Sequence, residues 1–467
     1  MKVPFFDYAV ILIYILAFIA IGAVITKKKV KSAADYSTAS RGMGLFTVVG
    51  STVATCMGAT IIFGNFQLVH SSGIKGLIAA LTWYIGWICL PVMAGRLYDT
   101  GAISLPDYIQ KRYNPLARKI ASYSVLCMGI SSLAAQFRSV GSMSQALGLC
   151  DANTGIIIGA IVILLFTVFS GLWGVAITDT IQSIMILAVV GFVIPIAATV
   201  VAGGPKEAIA AIDPAKLSFK GSTMTTGVFV GYIITKSFSA GAHPAYSQRV
   251  FAAKNRKVAV WGQVISIIIC TAIVLVAVWP ALFLNKIFPD MTDGSLFVPA
   301  FVAAYFPIGI RGLVLAVILG LLLTTGDTFL MLFSSTVTDD IIRHAKPNIE
   351  DKKLLRIGRL ACVLATVGTV LMAMYIPDIT RLISIGGSSF CCTVFFPLIL
   401  GCYWKKINTK AVTVSMCICC PLSIIWDFFL AKPTGQSGSL IAGITSFVIC
   451  VLGSLILNAR EQKKASA

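Results

Sequence analysis

Thr324-Thr-Gly-Asp-Thr328 sets three hydroxyls and a carboxylate in the middle of an apolar stretch, 311–338. Hydroxyls so placed have two uses. They bond back to carbonyls of their own helix, or they join freed backbone carbonyls as oxygen ligands for a dehydrated hard cation. Asp179 and Asp327 are carboxylates inside apolar runs, where a charge is expensive enough to make function the default reading. Arg138, in Ala134-Ala-Gln-Phe-Arg138, and Lys236 are cations in the same position. A guanidinium there forks onto a substrate carboxylate, pairs with an acidic side chain, or reaches for the surface. Lysine reaches outward more readily. No nucleophile–base pair or metal cluster stands out, so an enzymatic role is not expected.

The elements that must hold these groups are read from composition. Of 467 residues, 57% are hydrophobic and 12% charged, and mean hydropathy is +0.91. A soluble chain carries about a quarter of its residues charged. Half that, with long apolar runs throughout, means that lipid is the solvent for most of the surface. The net charge of +19 sits in short clusters between the runs, such as Lys27-Lys-Lys29, Lys352-Lys353 and Lys405-Lys406. Such clusters are topology signals; with no contiguous basic face or stacking platform, nucleic acid is not an expected partner. Thirteen cysteines, most within apolar runs (Cys127, Cys270, Cys362, Cys391 and Cys392, Cys419 and Cys420), show neither metal-site nor disulfide spacing. The first apolar run, 10–25, meets Lys27 rather than a cleavage site, and reads as a membrane helix, not a removable signal.

Thirteen apolar segments follow: 7–26, 44–69, 76–95, 118–148, 153–170, 176–202, 222–241, 257–284, 311–338, 355–376, 379–401, 410–430 and 437–458. With the N-terminus outside and the C-terminus inside, most of the 37 basic residues fall on the inner side along the whole chain. The expected fold is a single all-α transmembrane domain. Segment 7–26 is an extra leading helix, 44–202 and 222–401 are five-helix sets of opposite orientation, and 410–458 adds two helices. The first helix of each set looks breakable: Val49-Gly-Ser-Thr-Val-Ala-Thr-Cys-Met-Gly-Ala-Thr60 in one, Ser239-Ala-Gly-Ala-His-Pro244 in the other. Unwound backbone at membrane depth is tolerated where it lines a cavity, so both mark a binding site. Asp179 opens segment 176–202, where a helix-cap role is expected. None of the histidines, His70, His243 and His344, falls mid-membrane on these boundaries, so no histidine proton relay is expected. The loop 285–310 is expected to carry a short surface helix over 296–305.

Four stretches in order resemble the sodium:solute symporter family, with its sodium/proline, sodium/pantothenate and sodium/galactose branches. They are Ala94-Gly-Arg-Leu97 with Leu105-Pro-Asp-Tyr108; Gly171-Leu-Trp-Gly-Val-Ala-Ile-Thr-Asp-Thr-Ile-Gln-Ser-Ile-Met185; His243-Pro through Ser247-Gln-Arg-Val-Phe-Ala-Ala-Lys254; and Thr324-Thr-Gly-Asp-Thr328. The resemblance runs in order from about residue 35 to 405. The resemblance implies a LeuT-type five-plus-five inverted repeat. It also implies a sodium ion held by carbonyls of Ala54, Met57 and Leu321 and by the side chains of Thr324 and Thr325. Some family members hold a second sodium, which here would use Asp179, Thr324, Asp327 and Thr328; an aspartate easing ion exit to the cytoplasm is the other reading.

The solute is expected between the second, third, fourth, seventh and eleventh segments. The candidate lining is Cys56, Gly58, Thr60, Thr82, Trp83, Trp87, Gln136, Arg138, Lys236 and Phe238. Gln136 and Phe137 are similar to the pantothenate branch, whose substrate is a carboxylate. Cys56 stands where the proline branch has an aspartate, which argues against proline as the default solute. The expected function is sodium-coupled import of a small carboxylate or zwitterion across the plasma membrane by alternating access. Proton coupling through Asp327, or a sugar as solute, are the alternatives. The bilayer and the solute are the expected partners, with no obligate protein partner.

Overall fold

A computed structural model describes residues 4–29, 33–219, 224, 226–376, 379–430, 434 and 436–465. Residues 222, 223 and 225, at the expected start of the second helix set, lie outside them. All regular structure among the described residues is helical, apart from one isolated bridge between Met43 and Ala253. Its principal helices are α1 (Phe5–Lys29), α2 (Leu45–Cys56), α3 (Phe66–Trp87), α4 (Cys89–Asp99), α5 (Pro115–Ala146), α6 (Ala152–Ala188), α7 (Thr226–Gly241) and α8 (Pro244–Ala252). They continue with α9 (Arg256–Ala277), α10 (Phe297–Tyr305), α11 (Ile310–Ser335), α12 (Asp351–Tyr375), α13 (Ile379–Tyr403), α14 (Thr409–Ile425) and α15 (Gly438–Ala465).

Ten described helical stretches are long and apolar enough to cross a bilayer. Two of them, Thr60–Asp99 and Ala152–Val201, run 40 and 50 residues. At 1.5 Å per residue the longer would extend about 75 Å, more than twice the bilayer's hydrocarbon core. Each instead turns on a glycine: Gly73 at φ 56°, ψ −131°, and Gly171 at φ 56°, ψ 177°. Only glycine holds such angles without strain.

The turn at Gly171 corrects one sequence expectation. Helix restarts there, so Asp179 lies about two turns past the restart, inside α6, and does not cap it. Two further breaks fall where the small-residue runs pointed. After Cys56 the chain leaves helical geometry at Met57 (φ −82°, ψ 55°) and resumes at Thr60–Asn65. After Gly241 it breaks at His243 (φ −57°, ψ 120°), and Pro244 opens α8, where a missing N–H costs nothing. The short helix expected in 285–310 is α10, and Pro205–Ala210 adds another in the preceding long loop.

Burial sets the roles of the spans. The apolar window of the stretch containing α11 is 83% buried, against 22% for α1, so α11 is the central post and α1 faces lipid. The two are pinned at one end. Asp7 accepts from the backbone N–H of Gly309 (2.7 Å) and Gly312 (3.1 Å) and from Arg311 Nε (2.7 Å).

Candidate functional site

The break after α2 lies beside the middle of α11. Thr324 Oγ1 donates to the Leu321 carbonyl at 3.0 Å and lies 3.5 Å from that of Ala54. Thr325 Oγ1 is 3.2 Å from the Leu321 carbonyl and 3.4 Å from that of Thr55. Both hydroxyls therefore make the ordinary back-bond to their own helix and also face carbonyls at the end of α2, whose next turn is missing. Gly58 closes the group from the broken strand: a Cβ there would stand 2.7 Å from Thr325 Oγ1. Carbonyls of Ala54, Thr55 and Leu321 with two hydroxyls form a neutral, hard, oxygen-only set that suits an alkali cation. The structure brings together Ala54, Leu321, Thr324 and Thr325, with Met57 at the break itself.

Asp179 and Thr328 also come together, around the arginine of the Ser247-Gln-Arg-Val stretch. Arg249, on α8, is fully buried. Its Nη2 donates to Ser51 Oγ (2.9 Å), Thr328 Oγ1 (2.9 Å) and Thr55 Oγ1 (3.1 Å) and lies 3.4 Å from Asp179 Oδ2. Nε donates to Ser51 Oγ (3.0 Å), and Ser51 in turn donates to Asp179 (2.8 Å). Nη1 takes the Ala245 carbonyl (3.1 Å) and Gln248 Oε1 (3.3 Å). A fixed guanidinium thus joins α2, α6, α8 and α11 between Asp179 and Thr328. The carboxylate of Asp327 is not part of this network.

On the other side of the break stands an aromatic box. Trp87 stacks on Tyr246 (4.1 Å between centroids) and donates from Nε1 to Gln263 Oε1 at 3.1 Å. Trp83 donates to Tyr246 Oη (3.3 Å) and meets His243 edge-on (5.5 Å). His243 stacks on Tyr246 (4.2 Å) and touches Phe329 of α11 edge-on (5.9 Å). Cys56 Sγ lies 3.9 Å from Tyr84 Oη, and Gln136 Oε1 accepts from the Ala59 N–H at 3.3 Å. Lys236 holds its ammonium over the rings of Tyr232 (5.1 Å) and Trp83 (5.7 Å). Of the expected solute lining, Cys56, Gly58, Trp83, Trp87, Gln136 and Lys236 therefore gather around the two broken helices, and half-buried Thr60 opens the helix that follows the first break. Thr82 spends its hydroxyl on the Ala79 carbonyl (2.6 Å). Phe238 packs away, against Phe395 (4.9 Å) and Phe396 (5.0 Å) of α13. Half-buried Arg138 is two residues beyond Gln136 on α5, about 200° around the helix from it.

Comparison with known proteins fits this arrangement. The model of the sodium:solute symporter family matches residues 36–419. The chain belongs to that family. Among curated relatives, the osmoregulated proline transporter OpuE of Bacillus subtilis is 25% identical over 97% of this chain and 95% of its own. A sodium/proline symporter of Staphylococcus aureus is 24% identical over 98% and 93%. Among solved structures, a Na+-coupled sialic acid symporter in a substrate-bound outward-open state superposes with TM-score 0.81 at 18% identity, over 97% of this chain and 98% of its own. Mhp1, a nucleobase-cation-symport-1 family transporter, gives 0.55 at 14% identity, over 92% of this chain and 96% of its own. These likenesses put the chain in the LeuT-type fold. It is a multi-pass membrane transporter, not an enzyme.

In this family member two site residues escaped the sequence reading. Arg249 was masked by its neighbours: Lys254, Arg256 and Lys257 follow within eight positions and do mark a loop. The sign was Ser247-Gln-Arg-Val, an arginine without charged neighbours just after a break. His243, expected off the membrane middle, is buried at the break between α7 and α8, 4% exposed among three aromatic rings. Sequence position near a proline had read as loop; only the packing of Trp83, Tyr246 and Phe329 puts it in the core.

Proposed function

We propose that the protein is a sodium-coupled symporter that imports a small carboxylate or zwitterion by alternating access across the plasma membrane. The single observation that carries the reading is the meeting of the Thr324 and Thr325 hydroxyls with the carbonyl end of α2 at its break. Sodium held there, by the carbonyls of Ala54, Met57 and Leu321 and the two hydroxyls, straightens the end of α2 and completes the solute pocket. The donor set supports a monovalent ion because it carries no charge of its own, so binding leaves no surplus for a divalent ion to need. A solute carboxylate meets Lys236 and the amide of Gln136, with the rings of Trp83, Trp87 and Tyr246 as its apolar wall.

Splitting the two long helical stretches at Gly73 and Gly171 and adding α7 gives thirteen spans, with the N-terminus outside and the C-terminus inside. α2 to residue 201 and α7 through α13 are the opposed repeats within one transmembrane domain. α1 precedes them and α14 and α15 follow. Both breaks then fall in the first span of a repeat, at corresponding positions, as the site of an inverted-repeat transporter requires.

Purified protein screened by thermal shift against small solutes, in sodium and again in choline at one pH, tests the reading, since a ligand stabilises only the state it binds. We expect a carboxylate hit that needs sodium, and a Thr324→Ala variant whose sodium dependence is weakened about tenfold with expression kept. A hit equally strong in choline moves the coupling ion to the proton.

A further inference from the structure

α12 sorts its residues by face. Leu354, Gly358, Cys362 and Ala365 are buried against the bundle, while Leu360, Val363, Leu364 and Val367 are exposed on the other side, where a membrane helix meets lipid. Lys352, Lys353, Arg356 and Arg359 are exposed as well. At 3.6 residues per turn all four point within about 60° of the direction of Arg356, which Leu360 and Val363 flank on the helix surface. A topology signal needs only positive charge in the flanking loop. These charges stand on the helix itself, in line with its lipid-facing stripe.

α1 ends the same way. Exposed Leu12, Ile13, Leu16 and Val24 lead to Lys27, Lys28 and Lys29, exposed in the last turn. The two basic ends meet one feature, the turn of α6 at Gly171. Lys29 Nζ lies 5.1 Å over the ring of half-buried Trp173. A Cβ on Gly171 would stand 2.7 Å from the ring of Tyr36, and Tyr36 is within electrostatic reach of Arg359. A tryptophan beside lysines, between hydrocarbon and water, marks headgroup depth.

Charge decides the partner. None of these seven cations makes an ion pair with a carboxylate among the described residues. They outnumber Asp35, Glu350 and Asp351, the acidic residues of the same two stretches, and Asp351 is already 3.4 Å from Arg343. A phosphodiester brings the missing negative charge, with acceptor oxygens that suit guanidinium and ammonium donors. We propose that this end of the bundle binds anionic phospholipid, its phosphate groups held by the Lys27–Lys29 turn and the Lys352–Arg359 stripe and its chains along α1 and α12. On the orientation proposed above, the lipid belongs to the inner leaflet, whose surface is negative.

The test is electron paramagnetic resonance of spin-labelled phosphatidylglycerol and phosphatidylcholine, each added to the full chain in phosphatidylcholine bilayers. The share of probe immobilised at the protein reports relative affinity, and probe in both leaflets makes the readout indifferent to the direction of insertion. Wild type should hold phosphatidylglycerol about fivefold more strongly, a preference that salt at about 1 M screens. Arg356→Gln with Arg359→Gln should reduce it by about half or more, and so should Lys27→Gln, Lys28→Gln and Lys29→Gln together. Lys405→Gln with Lys406→Gln, exposed in the loop between α13 and α14, should keep it. Equal immobilisation of the two lipids by wild type overturns the proposal. A loss in the loop variant as large as in the other two also overturns it, since net charge alone would then be the attraction. Suppression by excess free glycerol phosphate assigns the cations to soluble phosphate instead of lipid. No sodium or solute enters the measurement, so its failure leaves the sodium-coupled reading standing.

Discussion

At the scale of single residues, the decisive group is Arg249. A guanidinium with no exposure, held by three hydroxyls, a carbonyl, an amide and a carboxylate, is tolerable in an apolar interior only because every donor direction is met. Removing its counter-charge should therefore be far worse than removing a surface pair. Asp179→Asn leaves the guanidinium buried without its anion, a loss of about 3–5 kcal/mol by analogy with broken buried pairs. It should appear as a large drop in the melting temperature of the purified protein. Lys410→Gln, at an exposed pair with Glu461, should cost no more than about 1 kcal/mol. Equal losses would mean that the buried network carries no special weight. The legible part at this scale was the list of oxygen donors in Thr324 to Thr328. The illegible part was the arginine, because an arginine four residues before a basic loop looks the same whether it faces water or a carboxylate.

At the scale of elements, function depends on where helices are interrupted. α2 stops at Cys56 because Met57-Gly58-Ala59 packs against α11 in a form that leaves no room for a side chain at Gly58. Gly58→Ala would set a methyl 2.7 Å from Thr325 Oγ1, a distance that obliges the hydroxyl to move. Sodium affinity, read by binding to the purified variant, should fall about tenfold, while Gly368→Ala, into open space on α12, should leave it unchanged. An unaltered affinity in Gly58→Ala would separate Thr325 from the ion. The breaks were foreseeable from runs of small residues and from Pro244. The turn at Gly171 was not, since a glycine between apolar residues fits a continuous helix equally well by composition. What marks the position is tertiary: a Cβ there would stand 2.7 Å from the ring of Tyr36, and this is why the start of the sixth span was set too late and Asp179 was taken for a cap.

At the scale of the whole molecule, the central fact is the contrast between α11, enclosed on all sides, and α1, α14 and α15, which give most of their surface to lipid. Basic clusters fix the orientation of such a bundle at synthesis. The arrangement proposed here makes a definite prediction for intact cells. A cysteine introduced at Asp290, exposed in the loop before α10, should react with an impermeant thiol reagent. One introduced at Lys463, exposed at the end of α15, should react only after the membrane is opened. The reverse pattern would invert the bundle, and with it the direction assigned to transport.

The sequence alone determined that this is a polytopic helical transporter of the sodium:solute symporter family, where its two key helices break, and which hydroxyls face the break. Those features are local: apolar runs, small-residue interruptions and short motifs are written in consecutive residues. The tertiary structure decided which buried charges pair. Asp179, Arg249 and Asp327 come from three helices spread over more than a hundred residues. In an apolar interior, the meaning of a charge lies in its neighbours, because burial without a partner is what costs free energy. Arg249 found a carboxylate and became structural. Asp327, as deeply buried, has no hydrogen-bond partner among the described residues.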